Sequence, residues 1–174
     1  MVEGASGAKA RRFTGFTPAT RPMLNHLQAL IFLDYDGVLQ RPKVSNWIDF
    51  EFLPEFESVL RDFPHVGVVL STTHRFGRSL ATLRGVYSED VRFQIVGATP
   101  DLICGDADGG RCEEIQQWLK DFDLRHLPWV ALDDQPRLFP KDCPQLLRCS
   151  PYAGLDEDIV VELRHRLKTS QKAA

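Results

Sequence analysis

Two aspartates separated by one residue, Asp34 and Asp36, directly follow the apolar run Leu30–Leu33. If that run is a buried strand that stays extended, both side chains point the same way and the carboxylates lie close together. Like charges so close need a cation or a shared proton in a dry site. Gly37 follows and permits a left-handed turn that brings the chain back beside the acids. The pattern D-x-D-G therefore predicts a cation-dependent site, although an ordinary polar turn has the same residue types.

Polar side chains also follow two other apolar runs. Ser71 follows Val66–Leu70, and the pair Asp133 and Asp134 follows Trp129–Leu132. In a parallel α/β sheet, ligands bind beyond the carboxyl ends of the strands. We therefore expect all of these side chains to meet at one edge of the sheet.

Four carboxylates at one edge repel each other, so the predicted site needs a cation at neutral pH. Its ligands are all oxygens, with no His or Cys among them, which favours Mg²⁺. Magnesium readily shares a phosphate oxygen, so the site suits phosphoryl chemistry. The predicted metal residues are Asp34, Asp36, Asp133 and Asp134.

The elements that must position these residues are apolar runs alternating with amphipathic segments. The predicted strands are Leu30–Leu33, Val66–Leu70, Val91–Val96, Trp129–Leu132 and Leu146–Cys149. The predicted helices are Glu55–Phe63, Arg78–Leu83, Arg111–Phe122 and Leu155–Leu167. This alternation predicts an α/β fold, a Rossmann-like three-layer sandwich with a mostly parallel sheet and helices on both faces. In residues 41–52 the sequence predicts no more than a hairpin or flap, so only a minimal cap is expected.

Composition limits the function classes. The chain has 174 residues, 43% apolar and 26% charged, which is typical of one ordinary globular domain. Its net charge of −3 gives no overall basic field that would attract nucleic acid. The four cysteines form no C-x-x-C pair, so zinc-ribbon and thioredoxin-type sites are not supported and reduced thiols in a cytoplasmic protein are expected. No apolar run approaches the roughly 20 residues of a membrane-spanning helix, so no membrane partner is expected.

The domain layout follows from where hydrophobic periodicity begins and ends. Residues 1–25 are predicted to form a disordered or loosely attached tail, residues 26–168 one α/β domain, and residues 169–174 a second tail. Lys9, Arg11 and Arg12 leave open a weak contact of the first tail with RNA or another anion. No stable protein partner can be inferred from the sequence.

On these motifs the chain resembles the haloacid dehalogenase (HAD) superfamily of phosphohydrolases, whose first motif is D-x-D-G-[TV] after an apolar strand. The resemblance covers roughly residues 28–168, and the motifs at the strand ends occur in the expected order. Within the superfamily the chain is most similar to small HAD domains found in or beside bacterial RNA-repair proteins. The similar segments are the helix pattern R-x-x-E-I-x-x-W-L, which begins at Arg111, and the strand V-A-L-D-D, which ends at Asp134.

The resemblance implies a role for each residue at the strand ends. Asp34 corresponds to the nucleophile that forms an aspartyl-phosphate. Asp36 corresponds to the general acid and base, and its main-chain carbonyl to a magnesium ligand. The Ser71 hydroxyl and an amide such as that of Thr72 would hold the phosphoryl oxygens.

The resemblance also implies a metal pair and a basic residue. Asp134 corresponds to the direct metal ligand and Asp133 to a residue acting through water or the basic residue, although the two are interchangeable at this level. The basic residue of the superfamily is usually Lys, whereas here Arg111 stands 23 positions before Asp134. Arginine can grip a phosphate through two hydrogen bonds but is not equivalent to lysine. Lys120 and Lys141 remain alternatives for this position.

Together these features predict a Mg²⁺-dependent phosphomonoesterase with an open site, acting on a small phosphate ester or a nucleic-acid end. A metal- and phosphate-binding module without turnover is the alternative, and a phospho-acceptor signalling domain is a third possibility. His74 and Arg75 follow the predicted phosphate site, where they either reach the substrate or pack in a turn. Trp47 in the predicted flap either stacks on a base or anchors the hairpin.

Overall fold

The structure, a computed structural model, describes residues 24–41, 50–102 and 107–173. Five parallel strands form one sheet in the order β3-β2-β1-β4-β5. The strands are β1 Ala29–Leu33, β2 Val66–Leu70, β3 Ile95–Ala98, β4 Trp129–Asp133 and β5 Leu146–Arg148. The predicted α/β class with a parallel sheet is confirmed.

Four helices cover the two faces of this sheet. They are α1 Leu53–Asp62, α2 Leu80–Arg84, α3 Gly110–Asp121 and α4 Glu157–Ala173. Buried side chains of α1, α2 and α4 share one apolar cluster, and those of α3 belong to a second cluster. The predicted three-layer arrangement with helices on both faces is therefore confirmed.

Strand β1 is the centre of both clusters. Ile31 and Leu33 point into the cluster with α1 and α4, whereas Leu30 and Phe32 point into the cluster with α3. Every residue of β1 is at most 1% exposed. A strand covered on both faces needs apolar side chains at every position, which explains the continuous apolar run in the sequence.

The direction of the crossovers changes beside β1. The chain runs from β1 outward to β2 and β3 on one side, then returns through α3 to β4 on the other side. Such a topological switch point opens a crevice beyond the carboxyl ends of the two central strands. Leu33 pairs with Leu132, and the Asp34 amide donates to the Leu132 carbonyl at 3.0 Å. The aspartates that follow β1 and β4 are therefore placed side by side.

Strand β3 differs from its prediction of Val91–Val96. A 3₁₀ turn spans Arg92–Gln94, and the strand runs from Ile95 to Ala98, so Gly97 lies within it. The Gln94 side-chain amide donates to main-chain carbonyls at the end of α1 and the start of β2: Leu60, Phe63 and Val66. These long-range hydrogen bonds hold the segment in a turn, which local β-propensity does not reveal.

The last helix is longer than its prediction of Leu155–Leu167. It begins after Asp156, whose carboxylate accepts the Ile159 amide at 3.0 Å, and continues to Ala173 through the segment expected to be a tail. Thr169 and Ser170 bond their hydroxyls to carbonyls one turn earlier, at 3.0 and 2.9 Å. These residues therefore keep their polar groups satisfied within a helix.

Residues 1–23 of the predicted first tail and most of the predicted flap, including Trp47, lie outside the described residues. Leu24, predicted to belong to that tail, is buried in the apolar cluster with α3. Phe50 to Phe52 lead directly into α1. None of the helices that the structure describes is long and apolar enough to cross a membrane.

Candidate active site

Three carboxylates meet at the switch point. Asp34 follows β1, Asp133 ends β4 and Asp134 follows it, and one oxygen of each lies within 4.8 Å of the others. Asp34 and Asp133 are 3% and 0% exposed, and Asp134 is partly buried. The structure thus brings together three of the four predicted metal residues.

Arg111, in the first turn of α3, lies between two of these acids. Its Nη1 is 3.0 Å from Asp34 Oδ2 and 2.8 Å from Asp133 Oδ2, and the side chain is buried. Burial alone would lower the pKa of Arg111, but the attraction of both carboxylates outweighs it and raises the pKa. The alternative lysines, Lys120 and Lys141, are exposed. The structure therefore places Arg111 at the position expected for the basic residue.

One guanidinium does not balance three carboxylates. Burial raises the pKa of Asp133 to about 7, although Arg111 lowers it. Burial and then repulsion by Asp34 raise the pKa of Asp134. In the described part of the chain, Asp134 Oδ1 is buried and has no hydrogen-bond partner. Excess negative charge, oxygen donors only and an unpartnered buried oxygen fit a hard divalent cation such as Mg²⁺.

The turn after Asp34 packs closely on Asp134. The Tyr35 carbonyl accepts the amides of Val38, Leu39 and Gln40, which folds the chain back on itself. Gly37 has a φ of +72°, and a Cβ there would lie 2.4 Å from Asp134 Cγ. Only glycine satisfies both conditions, so the expected left-handed turn is present and positions Asp134.

Asp36 lies on the rim of the site rather than in the three-carboxylate group. Its side chain is 46% exposed, and among the described residues the group holds only Asp34, Asp133 and Asp134. Gln40 Nε2 donates to Asp36 Oδ1 at 2.5 Å, and His74 Nε2 lies 3.1 Å from Asp36 Oδ2. The carboxylate of Asp36 is therefore held at the rim of the three-carboxylate group and is open to solvent.

Ser71 and Thr72 begin the loop after β2 and are buried at the same edge. The Ser71 amide donates to the Leu33 carbonyl at 2.9 Å, one residue before Asp34. Thr72 Oγ1 accepts the His74 amide at 3.3 Å and caps a short 3₁₀ helix, Thr73–Arg75. Ser71 and Thr72, two of the predicted phosphate-binding residues, thus lie at the end of the strand next to the candidate nucleophile.

The sequence did not reveal that the buried side chain of Arg75 holds this loop in place from the interior of the protein. Its buried guanidinium forms an ion pair with Glu114 at 2.6 Å. It also donates to four main-chain carbonyls: Ser71 at 2.9 Å, Thr72 at 2.8 Å, Thr99 at 3.1 Å and Pro100 at 3.2 Å. Arg75 therefore points into the protein and not toward a substrate.

A model of the family described as HAD domain in Swiss Army Knife RNA repair proteins matches residues 30–160. The chain belongs to this family. The match runs from β1 into α4 and so includes every strand-end residue described above. It confirms the resemblance to the superfamily and to the HAD domains of RNA-repair proteins. No curated protein and no solved structure matched the chain in the corresponding searches.

In this HAD domain the predicted site residues form three groups at one edge of the sheet. Asp34, Asp133 and Asp134 lie together at the switch point, where Arg111 contacts the first two of them. Ser71 and Thr72 begin the adjoining loop, and Asp36 lies on the rim. A nucleophilic carboxylate, an oxygen-lined cation site and a more exposed acid are the components of a phosphoryl-transfer site. The domain is thus HAD-like, of a phosphohydrolase superfamily.

Proposed function

We propose that this HAD domain is a Mg²⁺-dependent phosphomonoesterase that works through an aspartyl-phosphate on Asp34. The observation that carries the proposal is the position of Asp34, which shares a group with two further carboxylates and accepts an arginine hydrogen bond. A buried acid used only for structure gains nothing from two like-charged neighbours, since they raise its electrostatic cost.

In the first step an Asp34 oxygen attacks the phosphorus, and the bond from phosphorus to the ester oxygen breaks. Arg111 Nη1 lies 3.0 Å from Asp34 Oδ2 and holds this carboxylate in place for the attack. The same guanidinium offers further donors to the phosphoryl oxygens as negative charge develops on them.

Asp36 would supply and then remove the proton. It protonates the departing ester oxygen, and the resulting carboxylate accepts a proton from the water that attacks the aspartyl-phosphate. That second attack releases inorganic phosphate and restores Asp34. The half-exposed position of Asp36 on the rim supports this role, because leaving group and water both approach from solvent.

Ser71 and Thr72 would hold the phosphoryl oxygens through the Ser71 hydroxyl and the Thr72 amide. Both residues belong to the loop that Arg75 fixes through the two carbonyls that precede the 3₁₀ helix. A fixed loop can present its donors without reorganising during the reaction, which is the condition for strong transition-state stabilisation.

The cation would be held by the carboxylates of Asp34 and Asp134 and by the main-chain carbonyl of Asp36. The unpartnered Oδ1 of Asp134 favours it over Asp133 as the direct ligand, since Asp133 already accepts from Arg111 and from the Gln135 amide. When bound, Mg²⁺ supplies positive charge that offsets the phosphoryl oxygens.

The substrate class that fits best is a phosphorylated nucleic-acid end, with a small phosphate ester as the alternative. The family is described as belonging to RNA repair proteins. The described chain also places no second domain over the carboxyl edge of the sheet, which leaves space for a large substrate.

The test is hydrolysis of phosphate esters and of 3′- or 5′-phosphorylated RNA oligonucleotides with magnesium. Asp34→Asn should lower the turnover rate by about 10³-fold or more, because the nucleophile is removed while the size is kept. Asp123→Asn is a matched control, since Asp123 is exposed in the loop after α3 and Asn tolerates its φ of 59°.

Activity retained by Asp34→Asn would remove the proposed nucleophile. Binding of Mg²⁺ and phosphate by the wild-type protein with no hydrolysis of any ester would support the binding module instead.

A further inference from the structure

The side chain of Asp36 is held from two sides by residues with no role so far. Gln40 Nε2 donates to Oδ1, and His74 Nε2 faces Oδ2 at 3.1 Å. A carboxylate with a half-exposed side chain would otherwise move among several staggered rotamers. These two contacts therefore select one rotamer of the residue proposed to transfer the proton.

The environment of His74 determines which ring nitrogen carries hydrogen. Arg78 Nη1 donates to the His74 carbonyl at 3.2 Å and lies 3.4 Å from His74 Nδ1. Arginine has donors only, so this contact favours the tautomer in which Nδ1 accepts and Nε2 carries the hydrogen. Nε2 then donates to Asp36 Oδ2. The His74 ring also packs on Tyr35, with ring centroids 5.7 Å apart.

We propose that His74 is a positioning residue for proton transfer, and that Arg78 selects the tautomer in which Nε2–H fixes Asp36 beside the leaving group. The proposal rests on the proposed phosphomonoesterase function. His74 keeps its own hydrogen throughout, and the transferred proton passes between Asp36 and the ester oxygen. Arg78 and His74 thus act by orienting Asp36 and touch no reacting atom themselves.

This role makes the effect of His74 depend on the leaving group. The value of kcat/KM reports the steps up to departure of the ester oxygen. An alkoxide needs a proton to leave, whereas nitrophenolate is stable without one, so only the alkyl ester depends strongly on a well-placed acid. A residue that merely supports the fold would affect both substrates alike.

The experiment measures kcat/KM of His74→Phe and His74→Gln for an alkyl phosphate and for p-nitrophenyl phosphate, with magnesium. Phe keeps the ring on Tyr35 but has no donor, and Gln restores a donor. His74→Phe should lower kcat/KM for the alkyl phosphate about tenfold, part of the 10²–10⁴-fold range of general acid catalysis, and should change the p-nitrophenyl value by less than about twofold. His74→Gln should recover most of the loss, and His126→Phe, at an exposed loop, should change neither substrate.

A double variant tests whether His74 acts through Asp36. In the Asp36→Asn background, His74→Phe should cause no further loss on the alkyl phosphate, because the acid it positions is absent. Equal losses on both substrates, failure of Gln to recover activity, or independent effects in the double variant would each overturn the proposal. If the wild-type protein hydrolyses no ester at all, the proposed function fails instead.

A measurement that needs no turnover tests the hydrogen bonds between Arg78, His74 and Asp36 directly. Nitrogen-15 NMR of the His74 ring should show a protonated Nε2 and an unprotonated Nδ1 in the wild-type protein. Arg78→Met should convert this into a mixture of tautomers, whereas Arg125→Met, at an exposed position, should not. A wild-type ring protonated on Nδ1, or a tautomer unaffected by Arg78→Met, would overturn the assignment whatever the activity.

Discussion

Two buried arginines are associated with helix α3, yet their surroundings differ: Arg111 belongs to its first turn, and Arg75 pairs with Glu114 in the same helix. Arg75 donates to Glu114 and to four main-chain carbonyls, so its charge is balanced by one acid and its donors are well used. Arg111 lies between two carboxylates and close to a third whose Oδ1 has no hydrogen-bond partner in the described chain.

The difference separates a structural ion pair from a candidate catalytic one. Around Arg75 every charge is compensated, as expected where the task is to fix a loop. Around Arg111 negative charge exceeds positive charge, which costs stability unless a cation binds. Arg111 and Glu114 occupy one face of α3 three residues apart, so a single helix sets both environments. The excess of negative charge around Arg111, compared with the balanced charge around Arg75, therefore identifies the candidate site better than burial alone does.

The largest effect should come from replacing either arginine by methionine. Arg75→Met leaves Glu114 buried without its partner and should lower the free energy of unfolding by about 3–5 kcal/mol, with or without magnesium. Arg111→Met should cost a similar amount in the presence of a chelator. Saturating magnesium should restore about 1–3 kcal/mol to Arg111→Met, because the cation replaces the lost positive charge.

Urea unfolding with EDTA and with magnesium gives these free energies, and Arg125→Met is the exposed control. If Arg75→Met is too unstable to measure, Glu114→Gln removes the charge of the same pair with a smaller change of shape. Equal effects of magnesium on the Arg75 and Arg111 variants would mean that the two environments are not different in charge balance.

A smaller effect should appear in the pH dependence of the metal-free protein. Burial raises the pKa of Asp133 from 3.8 to about 7. Between these two pH values the folded state therefore holds a proton that the unfolded state has lost. This contribution to stability is fully present below about pH 4 and is lost as the pH rises through about 7. The loss should be at most about 4 kcal/mol relative to Asp133→Asn, which has no such group, because one pKa unit corresponds to about 1.4 kcal/mol.

The difference between the wild-type protein and Asp133→Asn, measured in EDTA from pH 4 to 8, isolates this group from other titrations. Magnesium should shrink the difference because it favours the ionised carboxylates. A difference that stays constant with pH, or that changes in the opposite direction, would show that Asp133 is already ionised beside Arg111.

The sequence predicted the strand ends well because each one combines an apolar run with polar residues. β2 has its predicted bounds, and the residues after β1 and β4 converge as expected. Long-range contacts were not predictable from local pattern. The start of β3 depends on hydrogen bonds from Gln94 to residues about 30 positions earlier, and the Arg75–Glu114 pair joins residues 39 positions apart.

Two glycines with a left-handed backbone allow the effect of backbone strain to be separated from the effect of a contact with Asp134. Gly37 and Gly77 have φ values of +72° and +69°, but only at Gly37 would a Cβ meet Asp134. Each change to alanine should cost about 1 kcal/mol of stability from backbone strain. Gly37→Ala should in addition weaken Mg²⁺ binding about tenfold or more, since about 1.4 kcal/mol of displacement is enough for that factor.

Isothermal titration with Mg²⁺ compares the two variants directly, and Gly77→Ala should bind the ion as the wild-type protein does. At Gly77 a Cβ has nothing within 4 Å, so any loss of affinity there would come from strain alone. Equal affinities for both variants would mean that the position of Asp134 does not determine cation binding, and the contrast between the two arginine environments would then rest on Asp34 and Asp133.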